Sequence, residues 1–470
     1  YKMNNDMSNE VDEKGRIPNL VKIGAIATDT AMDMDQEVLD PVVNNQDFCR
    51  FVLSNKGFLH SFSKITLGLS APAGNGSSTF PVGVGVHSLI RRCALRVGTT
   101  IIAETDDFNH WMGYKSMFID NDINLERETY LTSRIMNHDV IYTNLNDLES
   151  NVNASFMGLK TYLEYDVDDD GSGGNLEPQK EIMAGNTPVF QISVADLFPF
   201  LRFNQLPLYM IDQQVSIELT FQPASTFERC IHEGTEPAGT TYSMDTTQTK
   251  FIASYIYYDG EMMESYRSQN PVLEWTYNDY RLNKRSYTQA QLQTQQTLEV
   301  GGAGRLVGKV VTSLENVLAA PDSTMTSAFE SSAPAVNGGN NGLFTTNLLY
   351  NDHRLYPIDR SNPALHFHDV VQAEQNVPNI TRQEFMKQGG GLADAYTYME
   401  YDFSDSSEGL NGRFHYICYR PTRNERINSK GIQLELKYTA TLAGTFVHRT
   451  WLELVKTCKL ENGMMSSEFA

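Results

Sequence analysis

Two short segments of this chain alternate without a break. Val215, Ile217, Leu219 and Phe221 are separated by Ser216, Glu218 and Thr220. Far downstream, Ile432, Leu434, Leu436 and Tyr438 are separated by Gln433, Glu435 and Lys437. A period of two places every apolar side chain on one side of an extended strand and every polar one on the other. Such a strand is stable only when a second layer covers its apolar face. The simplest cover is another sheet, as in a sandwich or a closed barrel. Before the first segment lies "DLFPFLRFNQLPLYM", which is too short to cross a bilayer. It reads as a short apolar helix capped by Asp196, with Pro199 in its first turn. Leu206-Pro207 then ends it.

The same grammar recurs along the chain. Ile65, Leu67 and Leu69 alternate with Thr66 and Gly68. "LIRRCALRVGTTIIAETDDFNHWMGYKSMF" reads as a strand, a turn centred on Gly98, a second strand, and a helix capped near Asp106 or Asp107. "TPVFQISV" is a further strand, and "KFIASYIYYDGEMMESYR" closes this half with a strand and a turn.

The second half repeats the plan. "TLEVGGAGRLVGKVVTSLENV" is strand-like with a glycine break, and "LLYNDHRLYPIDRSNPALHF" parallels "LRVGTTIIAETDDFNHW". "GIQLELKYTATLAGTFVHRTWLELV" parallels the pair "QVSIELTF" and "FIASYIYYDG". Loops such as "SAPAGNGSSTF" and "SSAPAVNGGNNG" separate the strands. Short strands, long loops and few helices define an all-β chain, and internal duplication of one sandwich is the simplest account. On this reading residues 1–58 are an N-terminal arm, 59–266 the first sandwich, and 267–470 the second with a C-terminal tail.

Charge narrows the function. The chain has 470 residues and a formal net charge of −21. A chain this acidic is not built to coat nucleic acid by counterion release, and no sequence-specific contact to it is expected. No apolar run reaches membrane-spanning length. Cys49, Cys93, Cys230, Cys418 and Cys458 are widely spaced without a CxxC pair, which suits reduced thiols rather than a disulfide framework.

One stretch has the spacing of a metal loop. In "DVDDDGSGGNLE", Asp166, Asp168, Asp170, Gly171 and Glu177 occupy positions 1, 3, 5, 6 and 12 of a calcium loop. Alternating hard oxygens can wrap Ca²⁺, and the glycine allows the bend. Gly173 stands where such loops anchor an apolar residue, so an acidic solvated tip is the competing account. Structural calcium is the one cofactor this pattern admits. Other patterns carry less. "GGAGRLVGK" lacks the first glycine and the Ser/Thr of a phosphate loop. His366 and His368 alone make two ligands where zinc needs more. Trp111 and Trp451 are expected in the core. No GxSxG or HExxH signature is present.

Four segments together resemble a known family. They are "CALRVGTTIIAETDDFNHWMGY", "LFPFLRFNQLPLYMIDQQVSIELTF", "ASYIYYDGEMMESYR" and "LYNDHRLYPIDRSNPALHF". In order and spacing the chain resembles the double jelly-roll major capsid proteins of double-stranded DNA viruses. That group includes the nucleocytoplasmic large viruses and their polinton-like and virophage relatives. Thr99-Thr100 departs from the glycine often found at the family's first turn. The resemblance implies two tandem eight-stranded jelly rolls with short helices in the loops. It implies a homotrimer of pseudo-hexameric outline that meets neighbouring capsomers, penton and minor capsid proteins. It also implies residence in the virion shell after assembly inside an infected cell, and no catalysed reaction. The residues alone leave open a tandem jelly-roll carbohydrate-binding or carbohydrate-active protein, which would need two carboxylates converging in a cleft.

Overall fold

The computed structural model describes residues 32–70, 77–79, 84–115, 132, 189–202, 205–223, 231–233, 243–317, 344–359, 368–369, 372–373, 416–421, 426–438 and 445–470. Eight principal strands build the first sandwich. They are β1 (Met32–Leu39), β2 (Phe48–Leu53), β3 (Lys64–Ser70), β4 (Ile90–Val97), β5 (Thr100–Asp106), β6 (Val189–Ser193), β7 (Val215–Phe221) and β8 (Ser243–Tyr258). One sheet places β8 between β1 and β3, with β6 beyond β3; the other runs β2-β7-β4-β5. All these pairings are antiparallel.

Eight more strands build the second sandwich. They are β9 (Val272–Thr288), β10 (Gln296–Gly301), β11 (Val307–Val317), β12 (Phe344–Tyr350), β13 (His353–Arg354), β14 (Tyr416–Tyr419), β15 (Ile432–Tyr438) and β16 (Thr445–Glu461). Their sheets run β9-β16-β11-β14 and β10-β15-β12-β13. In both halves the first, eighth, third and sixth strands share one sheet, and the second, seventh, fourth and fifth share the other. That is the jelly-roll order, used twice. The expected all-β duplication is therefore present in full.

The alternating segments take the faces their period predicts. Val215, Ile217, Leu219 and Phe221 are buried in the first core, opposite Phe251 and Ala253 of β8 and Ile65 and Leu67 of β3. Ile432, Leu434 and Leu436 are buried in the second, with Leu298, Val310 and Leu452. The polar face of β7 carries Glu218, whose carboxylate lies 2.8 Å from Arg96 and 3.8 Å from Arg50. Those partners remain in partial contact with water. Glu218→Gln is therefore expected to cost about 1 kcal/mol or less, with the difference shrinking in high salt. Urea unfolding at two ionic strengths measures it.

Four expectations are corrected. Residues 32–53, read as part of an arm, supply β1 and β2. β1 alternates Met32, Met34 and Val38 with Asp33, Asp35 and Glu37 but leaves Met34 and Val38 exposed, and β2 has apolar residues on both faces (Phe48, Cys49, Phe51, Val52, Leu53), so neither carries the one-sided core pattern of β7. The short helix Val194–Leu197 is capped by Ser193, whose hydroxyl accepts from the Ala195 N–H; Asp196 instead meets Arg202 at 3.2 Å. Pro199 opens a separate 3₁₀ turn. The connection after β8 is a helix, Gly260–Gln269, rather than a turn. Finally, the C-terminal residues are not a tail: β17 (Met464–Phe469) pairs with β16 through a turn at Asn462-Gly463. Both turn residues have positive φ, the type I′ geometry of tight hairpins.

Cys49, Cys93, Cys418 and Cys458 are buried free thiols. Burial pushes Cys49 and Cys458 up to about 12, so they act as packing groups and not as nucleophiles. No described helix is long and apolar enough to cross a membrane.

Candidate assembly site at the seam between the sandwiches

The two sandwiches meet along β5, the edge strand of its sheet, and helix α1 (Phe108–Lys115) that follows it. An edge strand presents unpaired backbone groups, which must be covered or solvated. Here β9, β16 and β17 of the second sandwich cover them with side chains. Between Arg96↔Ile101 and Leu95↔Ala103 the ladder skips Ile102, a one-residue bulge that frees its carbonyl. The Tyr277 hydroxyl donates to that carbonyl at 2.5 Å. The Glu104 N–H donates to Asp279 at 3.3 Å. Lys456 and the Ser467 hydroxyl both donate to the Ile101 carbonyl, at 3.0 and 3.2 Å. Trp451 donates its indole N–H to the Asp106 carbonyl at 3.3 Å.

Charge pairs bind the same edge. Lys456 and Asp279 are 2.9 Å apart with side chains only 2% and 3% exposed. Burial pushes the Asp279 carboxyl up, and Lys456 only partly offsets this. Asp107 takes Arg449 at 2.9 Å and Lys284 at 2.8 Å. Its burial would raise the carboxyl, but Arg449, His110 and Lys284 outweigh burial and hold it down at about 2. Asp107 is also the helix-start residue expected from sequence. Its φ of +46° is a region Asp tolerates better than most residues, and its side chain serves Arg449 rather than the helix. Glu104 is bound by Arg92 from its own sandwich and by Arg281 at 3.2 Å from the other.

Apolar contact fills the remainder. Trp111 of α1 lies 4.2 Å from the ring of Tyr280 and 5.9 Å from that of Trp451, centre to centre. Phe200 stacks on Tyr277 at 4.7 Å. The apolar cluster of the first sandwich runs without interruption into Leu273, Tyr277, Trp451, Cys458, Leu460 and Met465 of the second, whereas the second interior is a separate cluster. Contacts between domains of one chain are ordinarily more polar than this. The β16–β17 hairpin adds a clasp. Asp212 N–H donates to the Gly463 carbonyl at 2.9 Å, and Met465 N–H to Gln213 at 2.9 Å. Gly463 has a φ of +76°, and a Cβ there would stand 2.1 Å from the Asp212 carboxylate, so any other residue would be strained and would displace Asp212.

On the other face of β16, His448 is buried inside the second sandwich, 2.6 Å from the Thr312 hydroxyl. Burial first, then Arg449 and Arg285, lowers it from 6.5 to about 3. The folded state thus holds this imidazole neutral while the unfolded chain protonates it near 6.5. Its contribution to stability is complete above pH 6.5 and is lost as pH falls toward 3, at up to about 1.4 kcal/mol per pH unit. His448→Gln is expected to flatten the fall in unfolding free energy between pH 7 and pH 5.

The other sequence candidates take definite places. Trp111 and Trp451 are buried, as expected, but in the seam. "GGAGRLVGK" is a strand end, a turn and a strand, and its Lys309 is buried beside Glu453 at 3.5 Å. His368 is exposed in a helical segment, and His366 lies outside the described residues. Asp166, Asp168, Asp170 and Glu177, the calcium-loop residues, also lie outside them. Among the described residues no cluster of three or more His, Cys, Asp or Glu is placed to hold a metal ion. Tyr277, Asp279, Lys456 and Arg449 were not singled out from sequence. Their signal is a stripe, Leu273, Trp275, Tyr277 and Asp279, that ends in an acid.

No protein-family model matches the chain, and no curated protein matches it by sequence. Its structure does match solved viral chains. A chain of the PBCV-1 virus capsid superposes with a TM-score of 0.53 at 12% identity, over 94% of this chain and 97% of that one. A chain of the Sputnik virophage gives 0.54 at 10% identity, over 94% and 89%. The Faustovirus major capsid protein gives 0.51 at 9% identity, over 91% and 90%. At these identities the likeness is one of fold, and it extends over both sandwiches.

Proposed function

We propose that this chain is a major capsid subunit of a double-stranded DNA virus, residing in the virion shell. The observation that carries the reading is the seam: two complete jelly rolls are joined by a continuous apolar core and buried ion pairs into one block. The near end-to-end likeness to viral capsid chains supports it. Such a block suits a tile that must transmit load between neighbours without flexing. The buried carboxylates Glu104, Asp107 and Asp279 are each committed to a cation in the seam, rather than turned toward a substrate cleft. A net charge of −21 suits a wall around a genome that the wall does not condense.

In this reading three chains assemble, so that six sandwiches give a pseudo-hexameric capsomer. The capsomers tile an icosahedral shell with penton and minor capsid proteins. An obligate interface of that kind buries on the order of 2,000 Å² or more. Light scattering on the purified protein is expected to give three times the 52.9 kDa chain mass. Negative-stain images should show hexagonal particles. A stable monomer at micromolar concentration refutes the proposal.

A further inference from the structure

One ion pair of the seam is open to covalent chemistry. Lys456 and Asp279 stand on adjacent strands, β16 and β9, in diagonal positions: Lys456 is opposite Tyr277, and Asp279 is opposite Leu454. Diagonal neighbours on one face of a sheet lie within reach of a long side chain. The Lys456 Nζ is 2.9 Å from Asp279 Oδ2, and the two side chains are 2% and 3% exposed. Among the described residues no other lysine–carboxylate pair is so dry. Lys309 and Glu453 are 7% and 12% exposed and 3.5 Å apart, and Lys284 beside Asp107 is 44% exposed. Arg449 and Asp107 are comparably buried, but a guanidinium keeps its proton and is no nucleophile.

An amine and a carboxyl group can condense to an amide. In water the step is opposed, because both ions are well solvated and water is in excess. The seam reverses both conditions. Burial penalises each ion, while an amide carries no charge to desolvate. Burial also pushes the Asp279 carboxyl up, so it takes a proton from the ammonium more readily than an exposed aspartate would. The ring of Phe469, 5.0 Å from Nζ, helps close the site to solvent. The hydrogen bonds already present would all survive. Asp279 Oδ1 accepts from the Glu104 N–H at 3.3 Å, and Nζ donates to the Ile101 carbonyl at 3.0 Å. The oxygen and N–H of an amide serve the same two partners, and Oδ2 is the atom left to depart.

We infer that Lys456 and Asp279 form a cross-linking site, at which Nζ of Lys456 joins Cγ of Asp279 in an intrachain isopeptide bond. The freshly folded chain holds the ion pair, and the bond forms afterwards. The ammonium first gives a proton to Oδ2, leaving a neutral amine and a carboxylic acid. The Nζ lone pair then attacks Cγ, and the Glu104 N–H supports the charge that develops on Oδ1. The Cγ–Oδ2 bond breaks, and Oδ2 leaves as water with a second proton from Nζ. The bond ties the first strand of the second sandwich to its last, between positions 177 apart in sequence. It restricts the unfolded chain as a disulfide would, without a redox partner. It is internal to one chain and does not depend on assembly.

The test is the mass of the denatured full chain, measured freshly folded and after prolonged incubation at neutral pH. The wild-type chain is expected to become lighter by one water. Its protease digest should then contain a branched peptide joining the segment around Asp279 to that around Lys456. Lys456→Arg keeps a cation in the seam but cannot condense, and it should retain its full mass. A folded wild-type chain that keeps its full mass overturns the inference. So does a loss of water that Lys456→Arg shares, or one that the digest maps to another residue, such as a cyclised aspartate. Should Lys456→Arg fail to fold, the wild-type mass and digest decide the matter by themselves.

Discussion

Lys456→Ala is expected to destabilise the chain by about 3–5 kcal/mol, the range for removing one partner of a buried ion pair. The side chains of Lys456 and Asp279 are 2% and 3% exposed and 2.9 Å apart. Alanine would leave the Asp279 carboxylate in the seam with the Glu104 N–H at 3.3 Å as its nearest remaining donor. It would also strip the Ile101 carbonyl of one donor. The deficit should depend on pH. Burial already places the folded-state pKa of Asp279 above its ordinary 3.8, so the charged form is the penalised one. The extra cost in the variant is therefore full above that raised pKa. It diminishes as pH falls through it, because the carboxyl then enters the seam protonated. Relative to wild type at the same pH, Lys456→Ala should recover part of its loss as pH falls through that raised value. Lys456→Met with Asp279→Leu removes both ions together and should cost much less than the single change. What remains is the cost of the Glu104 N–H and Ile101 carbonyl left short of partners, about 1–3 kcal/mol. Urea unfolding of the three chains decides the matter, and a double variant as unstable as the single one refutes the account.

The strands that sequence marks clearly are those wet on one face. β7 and β15 alternate because Glu218 and Glu435 meet solvent and surface arginines while Leu219 and Leu434 meet the core. The corner at Gly98 and its counterpart at Asn351-Asp352 were legible for a related reason: tight turns of positive φ select glycine, asparagine and aspartate. The seam was not legible. Around Trp451, β16 is buried on both faces, so its period vanishes into "VHRTWLELV". Lys456, Asp279 and Arg449 read as solvated charges, because nothing local in the chain tells a charge whether a partner will arrive from another sandwich. The same holds for β1. Its Met34 and Val38 are exposed, and only the whole fold shows that a strand pairs with β8 there.

Trp451→Ala probes whether the seam is a wall or a joint. The indole is 1% exposed, abuts Trp111 and donates to the Asp106 carbonyl. Truncating a buried tryptophan costs about 3–5 kcal/mol through lost burial and the cavity left behind. Trp451→Phe should cost clearly less, since it keeps an aromatic ring near Trp111 and loses mainly the indole N–H. More informative is where the loss appears. Were the sandwiches independent domains, weakening their contact would split unfolding into two steps, with the first sandwich untouched. The cluster that includes Trp451 is instead the cluster that includes Leu219, Phe251 and Trp111 of the first sandwich. Destabilisation should therefore reach both halves. Two tryptophans remain in the variant as reporters, Trp111 on α1 and Trp275 on β9, one from each side of the seam. Their fluorescence and the far-ultraviolet circular dichroism should report one shared urea midpoint, lowered from that of wild type. Separate midpoints would show that the apolar continuity across the seam does not couple the two sandwiches. The rigid tile would then have to draw its stiffness from contacts between copies, with the chain itself acting as a hinge.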